Sequence, residues 1–414
     1  MQQRCPGPRD SPTTGISCPG ANWAKENFLL LARFITQTGE KLAMRIGLDG
    51  RMMTLRLAGI GRYAIQNYQW LSRLERGPEL EVYPSRQAEV GPRKGSGKSI
   101  LSENRLYRSI CGLPGWARRK KIDLYHATNY GSAPLGAMPV PWVLTVHDLL
   151  PLENSEYHDI FFSARTRFLM RHNIPRADHI LAVSARAYQS AKEILKIDPG
   201  KMTLVPLAID EELWWPPRED DSQVRASYGL DWPYLLCVGT LNPRKNFLGV
   251  LRAFKRVLSE KKDDNHRVVL AGNLGWKSET ILDYLRQNNL GDKVRILGHV
   301  PGHDLPAIYR GATALVHPSF YESFAYPVLE AYGARVPTIT SRIPLLPESV
   351  GDCSLLVDPL AEDELAHALA EVINNPGLRE KLIKGGQERC AKFSWKETAA
   401  RTVAAYQKVM EGNN

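Results

Sequence analysis

The sequence predicts an α/β protein made of two successive doubly wound parallel-sheet halves that face each other across a central cleft. Three observations lead to this. At 414 residues the chain exceeds one ordinary core and suits two. From residue 44 onward, short apolar runs alternate with amphipathic stretches of helical period. That alternation breaks once, over residues 213–233, and then restarts.

Residues 1–43 read differently from the rest. Their opening "MQQRCPGPRDSPTTGISCPG" is rich in Pro, Gly, Ser and Thr and lacks hydrophobic periodicity, which predicts a disordered or mis-started extension. The compact part is expected to start at Met44 with the strand "RIGLDG". "GIGRYAIQNYQWLSRL" opens on glycines and continues as an amphipathic helix. "IDLYHA" and "WVLTVHD" are apolar runs ending in polar residues, so they read as strands. "SARTRFLMRHNIPRAD" reads as a helix, and "HILAVS" as a strand whose Ser184 caps the helix after it. "MTLVP" is one more strand. Residues 211–233 then carry two prolines, several acids and exposed-looking tryptophans, and 213–233 is expected to be a linker. The strands "YLLCVG", "RVVLAG", "VRILG", "ALVHP", "PTITS" and "SLLV" follow, separated by helices, and terminal helices end the chain.

Such alternation implies parallel sheets covered on both faces, hence two Rossmann-like domains. Ligands in these folds sit at the carboxyl ends of strands beside helix N-termini, which places the site in the cleft.

Composition excludes several classes. Hydrophobic content of 43% and charged content of 24% are ordinary for a globular protein. No run approaches the ~18 apolar residues needed to span a bilayer; the longest candidate, "FLLLARF" at 28–34, is too short and contains Arg33. The six cysteines are scattered, without a CxxC pair or Cys/His cluster, which argues against a disulfide scaffold or structural zinc and suggests a cytoplasmic setting. Net charge is +10, with a strongly basic stretch at 86–121. Such a surface attracts phosphates of nucleic acid, anionic lipid or nucleotide, or is simply solvated.

The residues that could carry chemistry lie at strand ends. "SFYESFAYPVLEA" places Glu322 in the loop after the strand "ALVHP" and Glu330 in the first turn of the next helix, which Pro327 opens. A carboxylate there can accept hydrogen bonds from a diol, and the helix start offers free amides to an anion. The plainer alternative is an ordinary first-turn acid and a surface glutamate. Arg244 and Lys245 follow the strand "YLLCVG", where their charge suits phosphate oxygens. Gly59 and Gly61 precede a helix and would let backbone amides approach phosphate. His147 and Asp148 end a strand, as does His317, which reads as a residue that shapes its loop.

The stretch E-S-F-A-Y-P-V-L-E-A resembles the E-x7-E signature of retaining glycosyltransferase family 4, whose usual form is E-G-F-G-x-P-x-x-E-A and whose fold is GT-B. Two glycines of that form are replaced, by Ser323 and Ala325. "LLCVGTLNPRKNFLGVLRAF", "GIGRYAIQNY" and "VLTVHDLLPLE" are also similar to family segments, the last two to its bacterial mannosyltransferase subgroup. The likeness runs from about residue 44 to 410. It implies an acceptor-side domain at 44–212, a nucleotide-sugar-binding domain at 234–394, and a terminal helix at 395–414 that is a candidate to cross back to the first domain.

The resemblance assigns Glu322, His147, Lys245 and Arg244 to catalysis. It assigns Glu330, Gly59, Gly61, Ser323, Phe324, Ala325, Val328 and Leu329 to donor binding. It implies transfer of a hexose, mannose by subgroup, from GDP-mannose to a lipid-linked or polysaccharide acceptor. Retention of configuration, with no cofactor and no metal, is part of that expectation. An anionic membrane is a candidate partner for the helix "IFFSARTRFLMRH", 160–172, although Phe161, Phe168 and Leu169 read equally well as core. Two rival readings stand beside this one: a non-catalytic basic binder of membrane or nucleic acid, and a GT-B sugar epimerase. No RNP-like nucleic-acid module is present, so nucleic acid is not expected as a partner.

Overall fold

A computed structural model describes residues 44–53, 59–83, 112–154, 160–260, 265–343 and 347–412. The expected extension at 1–43 and most of the basic stretch lie outside the described residues.

The first half begins with β1 (Arg45–Asp49), α1 (Ile60–Arg73), β2 (Glu79–Tyr83), α2 (Leu113–Lys120), β3 (Leu124–Ala127) and β4 (Trp142–Val146). It continues with α3 (Leu150–Glu153), α4 (Ile160–Asn173), β5 (His179–Ala182), α5 (Ala185–Ile194) and β6 (Met202–Leu204). Its six strands pair in the order β2-β1-β3-β4-β5-β6, all parallel. Strands β3, β4 and β5 are buried along their whole length, as expected of a parallel sheet covered on both faces. Helix α1 buries Tyr63, Ala64, Asn67 and Leu71, one stripe at helical spacing.

Two short helices, α6 (Glu211–Trp214) and α7 (Asp221–Ser227), lead into the second half. It comprises β7 (Tyr234–Val238), α8 (Phe247–Ser259), β8 (Arg267–Ala271), α9 (Glu279–Gln287), β9 (Val294–Gly298) and α10 (Leu305–Arg310). After these come β10 (Ala314–His317), α11 (Tyr326–Gly333), β11 (Thr338–Ser341), α12 (Pro347–Val350), β12 (Leu355–Val357), α13 (Glu362–Asn374) and α14 (Pro376–Cys390). The strand order is β12-β11-β10-β7-β8-β9, again all parallel. Alternate strand residues feed two cores. Tyr234, Leu236 and Leu315 join the cluster on one face, and Leu235, Cys237, Ala314 and Val316 join the cluster on the other.

Strand order reverses direction at β1/β3 in the first sheet and at β7/β10 in the second. Those switch points open the crevices in which doubly wound folds bind ligands. Glu322, Arg244 and Lys245 lie on the loops after β10 and β7, at the second switch point.

The last helix, α15 (Trp395–Glu411), leaves the second half and packs on α1 and β5 of the first. Ser394 caps it by accepting the Glu397 amide. Tyr406 on this helix bonds the imidazole of His126 at 2.7 Å, and Trp395 joins Tyr63, Val183 and Ala208 in one apolar cluster. The outgoing segment at Ile209 and the returning segment at Phe393 lie side by side, joined by the Ile209 amide donating to the Phe393 carbonyl at 3.3 Å.

Residues 211–233 depart from the sequence reading. Trp214 is buried edge-on against Tyr309, with ring centroids 5.0 Å apart, while Trp232 is half-buried and Trp215 is 38% exposed. Tryptophans beside prolines and acids read as solvent-facing, yet here one of them anchors the segment to the second core. On α4, Thr166 and Met170 point inward while Phe168 is 66% exposed and stacks on His172. Leu169 is half-buried, and the Phe161 side chain lies outside the described residues. No helix among the described residues is long and apolar enough to cross a membrane.

Candidate active site

The loop after β7 is built for close approach. Gly239 has φ of +137°, and a Cβ there would meet Lys245 Cε at 3.0 Å. Gly272, after β8, packs so tightly that its Cβ would lie 1.9 Å from the Gly239 carbonyl oxygen. Only glycine fits these two positions. The chain then makes a single 3₁₀ turn at Pro243–Lys245, which the Asn242 side chain caps at the Lys245 amide. The Phe320 amide donates to the Arg244 carbonyl at 2.9 Å and ties this loop to the one after β10.

The loops bring three donors onto one oxygen. Glu322 Oε1 accepts from Lys245 Nζ at 2.6 Å, Arg244 Nη1 at 3.1 Å and His317 Nε2 at 3.1 Å. The Lys245 and Glu322 side chains are only 9% and 10% exposed. Burial opposes the Glu322 charge, but Lys245, Arg244 and the His317 hydrogen bond hold its carboxyl well below the ordinary range. Burial lowers the pKa of Lys245, with the Glu322 charge working the other way. An ionised carboxylate only accepts, so His317 carries its proton on Nε2. Its Nδ1 is buried without a partner. His317 therefore does more than shape its loop: it touches the catalytic candidate directly.

Donor capacity remains unspent. Lys245 Nζ has one hydrogen-bond acceptor among the described residues, out of three possible. Arg244 uses Nη1 alone, on Glu322 and on the Tyr321 carbonyl at 2.7 Å. Glu322 Oε2 receives no protein donor among the described residues. Two cations with free protons and a carboxylate with a free oxygen thus share one crevice. That set can hold a phosphate and a hydroxyl-bearing group side by side.

Glu330 sits differently from the sequence reading. Helix α11 starts at Tyr326, with Pro327 as its second residue, so Glu330 falls in the second turn rather than the first. It is 3% exposed. Its Oε1 is paired with Arg62 Nη1, and its Oε2 accepts from the Tyr309 hydroxyl at 2.9 Å. Ala325, just before the helix, adopts φ +56° and ψ +52°, the left-handed conformation that favours the glycine of the usual motif. The Val328 amide donates to the Ala325 carbonyl at 2.9 Å, so it is engaged rather than free for phosphate. Val328 and Leu329 are fully buried, and Phe324 packs edge-on against Phe393. These three shape the helix start from beneath.

The other half supplies the facing wall. The Ser323 hydroxyl donates to the His147 carbonyl at 2.7 Å and lies 2.9 Å from the Ser184 hydroxyl. His147 Nε2 donates to the Thr128 carbonyl at 3.0 Å, and Tyr63 meets the ring edge-on at 4.9 Å. Burial lowers the His147 pKa to about 4, so the imidazole is neutral at pH 7 with Nδ1 unprotonated. No described protein group bonds that Nδ1, which leaves it able to accept from a ligand hydroxyl. Asp148 accepts the Leu150 amide at 3.2 Å, just before the short helix α3. Gly59 is the N-cap of α1, with nothing within 4 Å of a Cβ built on it. Gly61 lies inside the helix rather than before it, and is buried.

Comparison with known proteins agrees with this geometry. The glycosyltransferase family 4 description matches residues 58–213, and the description "glycosyl transferases group 1" matches residues 220–389. The chain belongs to the family 4 glycosyltransferases. This glycosyltransferase is 29% identical to O-antigen chain mannosyltransferase B of Escherichia coli, over 84% of this chain and 96% of the relative. It is 27% identical to D-inositol 3-phosphate glycosyltransferase of Corynebacterium glutamicum (strain R), over 78% and 82%. Its fold matches sucrose-phosphate synthase from Thermosynechococcus elongatus with a TM-score of 0.69 at 20% identity, covering 89% of this chain and all of that one. The fold is GT-B.

The glycosyltransferase also carries site residues that the sequence reading passed over. Arg62 lies inside "GIGRY", where the glycines carry the stronger local signal. Tyr309 and Tyr63 carry no local signal, because a helical tyrosine reads as core until its partner is known. No group of three or more His, Cys, Asp or Glu among the described residues is arranged to hold a metal ion.

Proposed function

We infer that this enzyme transfers mannose from GDP-mannose to a saccharide acceptor, lipid-linked or polysaccharide, with retention of configuration and without a metal. The observation that carries the reading is the Glu322 cluster. A carboxylate and two cations with unspent protons meet at the switch point of the second sheet, opposite a neutral histidine. The mannose assignment is supported by the likeness to a mannosyltransferase over nearly the whole of that relative.

In this mechanism the bond from the anomeric carbon to the β-phosphate oxygen breaks as the acceptor oxygen bonds the same face of that carbon. The acceptor proton passes to the departing phosphate oxygen. Arg244 and Lys245 stabilise the charge that grows on the phosphate, which is the largest contribution a fixed site can make. Glu322 Oε2 accepts from a sugar hydroxyl and faces the positive charge developing on the ring. His147 Nδ1 accepts from a second sugar hydroxyl and orients the sugar. Glu330 accepts from the ribose hydroxyls.

A thermal-shift screen of GDP, UDP, ADP and their sugars tests the donor, since a bound nucleotide raises the midpoint by mass action. GDP and GDP-mannose should give the largest shifts. A larger shift with UDP or ADP would overturn the donor assignment. The anomeric configuration of the product, read by NMR, tests retention, and sugar release or isomerisation without acceptor would favour an epimerase.

A further inference from the structure

Arg62 is on α1 of the first half, yet its guanidinium crosses the cleft to the Glu330 carboxylate of the second. Its carbon Cζ lies over the Tyr326 ring, 5.5 Å from the centre, so the cation contacts an aromatic face as well as bonding the carboxylate. The Tyr326 hydroxyl in turn donates to the Ala208 carbonyl at 2.8 Å, on the segment leaving the first half. The Arg62 side chain is 28% exposed and the Glu330 side chain 4%. Each carboxylate oxygen has two lone-pair sites. Arg62 fills one on Oε1 and Tyr309 one on Oε2. One site on each oxygen is left, and a vicinal diol such as ribose needs two acceptors side by side.

We propose that Arg62 is a positioning residue for the donor nucleotide, holding the Glu330 carboxylate from the opposite side of the cleft so that ribose is gripped firmly only when the halves are closed. This rests on the reading that Glu330 accepts from ribose. Arg62 touches the carboxylate and not the sugar, so its effect passes through Glu330. The nucleotide site is thereby completed by a residue outside the domain that contains it.

A double-mutant cycle read by calorimetric titration with GDP tests this, using the full chain. Glu330→Gln alone should weaken GDP about tenfold, and if it does not, the ribose assignment itself fails. Arg62→Ala should also weaken GDP about tenfold in the wild-type background, but less than about threefold in the Glu330→Gln background. Arg62→Lys should recover only part of the loss, because an ammonium lacks the planar fork. Equal losses in both backgrounds would show that Arg62 acts on the diphosphate directly. Tighter binding by Arg62→Ala would show that it competes with the nucleotide. Either result overturns the proposal while leaving Glu330 on ribose. Melting midpoints of the free variants near the wild-type value separate these effects from misfolding. 2′-Deoxy-GDP supplies a second readout, since its penalty relative to GDP should shrink in Arg62→Ala.

Discussion

Replacing Glu322 by glutamine keeps the shape of the central side chain and removes its charge. In the folded protein that charge answers two cations, Lys245 at 2.6 Å and Arg244 at 3.1 Å, in a site where the lysine is 9% exposed. Removing one partner of a buried pair costs about 3–5 kcal/mol, because the remaining charge is stranded away from water. Arg244 is 20% exposed and regains some water, so the lower end applies, about 3 kcal/mol. For a domain of this size that corresponds to a melting midpoint lower by about 6–12 °C. The assay has a second arm. GDP brings its own negative charge to the stranded cations, so GDP should bind Glu322→Gln as tightly as wild type or more tightly. It should also raise the variant's midpoint further than the wild type's. Turnover should nevertheless fall about a hundredfold, since in the proposed mechanism the partner of Glu322 is the sugar and its developing charge. A variant that melts with wild type would show that Glu322 does not hold the cluster together. A tenfold loss of GDP affinity would place this carboxylate on the nucleotide instead.

Three further outcomes are expected. Ser323→Gly removes the hydroxyl that bridges His147 and Ser184 across the cleft, worth about 1 kcal/mol for each hydrogen bond, so small-angle scattering should show a more open free enzyme; an unchanged radius of gyration would argue against a latch at this position. Burial lowers His126 to a pKa of about 3 and His147 to about 4, so the unfolded chain takes up protons first as pH drops below about 6.5; stability is full above that pH and drains below it, by about 2 kcal/mol for each histidine at pH 5, and His126→Gln should flatten the fall of melting midpoint between pH 7 and pH 5. Transfer should survive excess EDTA, because in the proposed mechanism side-chain cations take the charge of the leaving phosphate; abolition by EDTA with rescue by magnesium or manganese would reverse that mechanism.

Much of this architecture was legible because local pattern and tertiary demand agree. Strands such as "LLCV" and "ALVH" are apolar on both faces because helices cover both, and such runs stand out without any alignment. Glu322, Arg244 and Lys245 were legible for a related reason. Charged residues directly after buried strands have few structural uses. What stayed hidden depends on distance along the chain. The His126–Tyr406 bond spans 280 positions and the Arg62–Glu330 bond 268, and no local periodicity encodes such a meeting. The turn placement of Glu330 went astray by one residue. Pro327 suits the first helical position, but Ala325 takes the left-handed conformation and lets Tyr326 begin the helix. Trp214 misled because its neighbours are polar, while its own ring has Tyr309 to rest on.

The return of the last helix to the first sheet bears on how the polypeptide is made. β1 to β6 leave the ribosome early, but the Tyr406 hydroxyl that satisfies His126, and the Trp395 ring that covers Tyr63, emerge only at the end of synthesis. Until then the first sheet lacks part of its cover, and the buried His126 imidazole has Thr145 but not the second of its two partners. The half that is translated first is therefore the half that is finished last. The second half has all its own strands before that moment, and the outlying members of its cores, Ile209, Trp214, Leu230 and Phe393, also precede Trp395 in the chain. A nascent chain stalled short of Trp395 would present a closed second half tethered to an incomplete first half, with the apolar face of α1 still open to chaperones or to other chains.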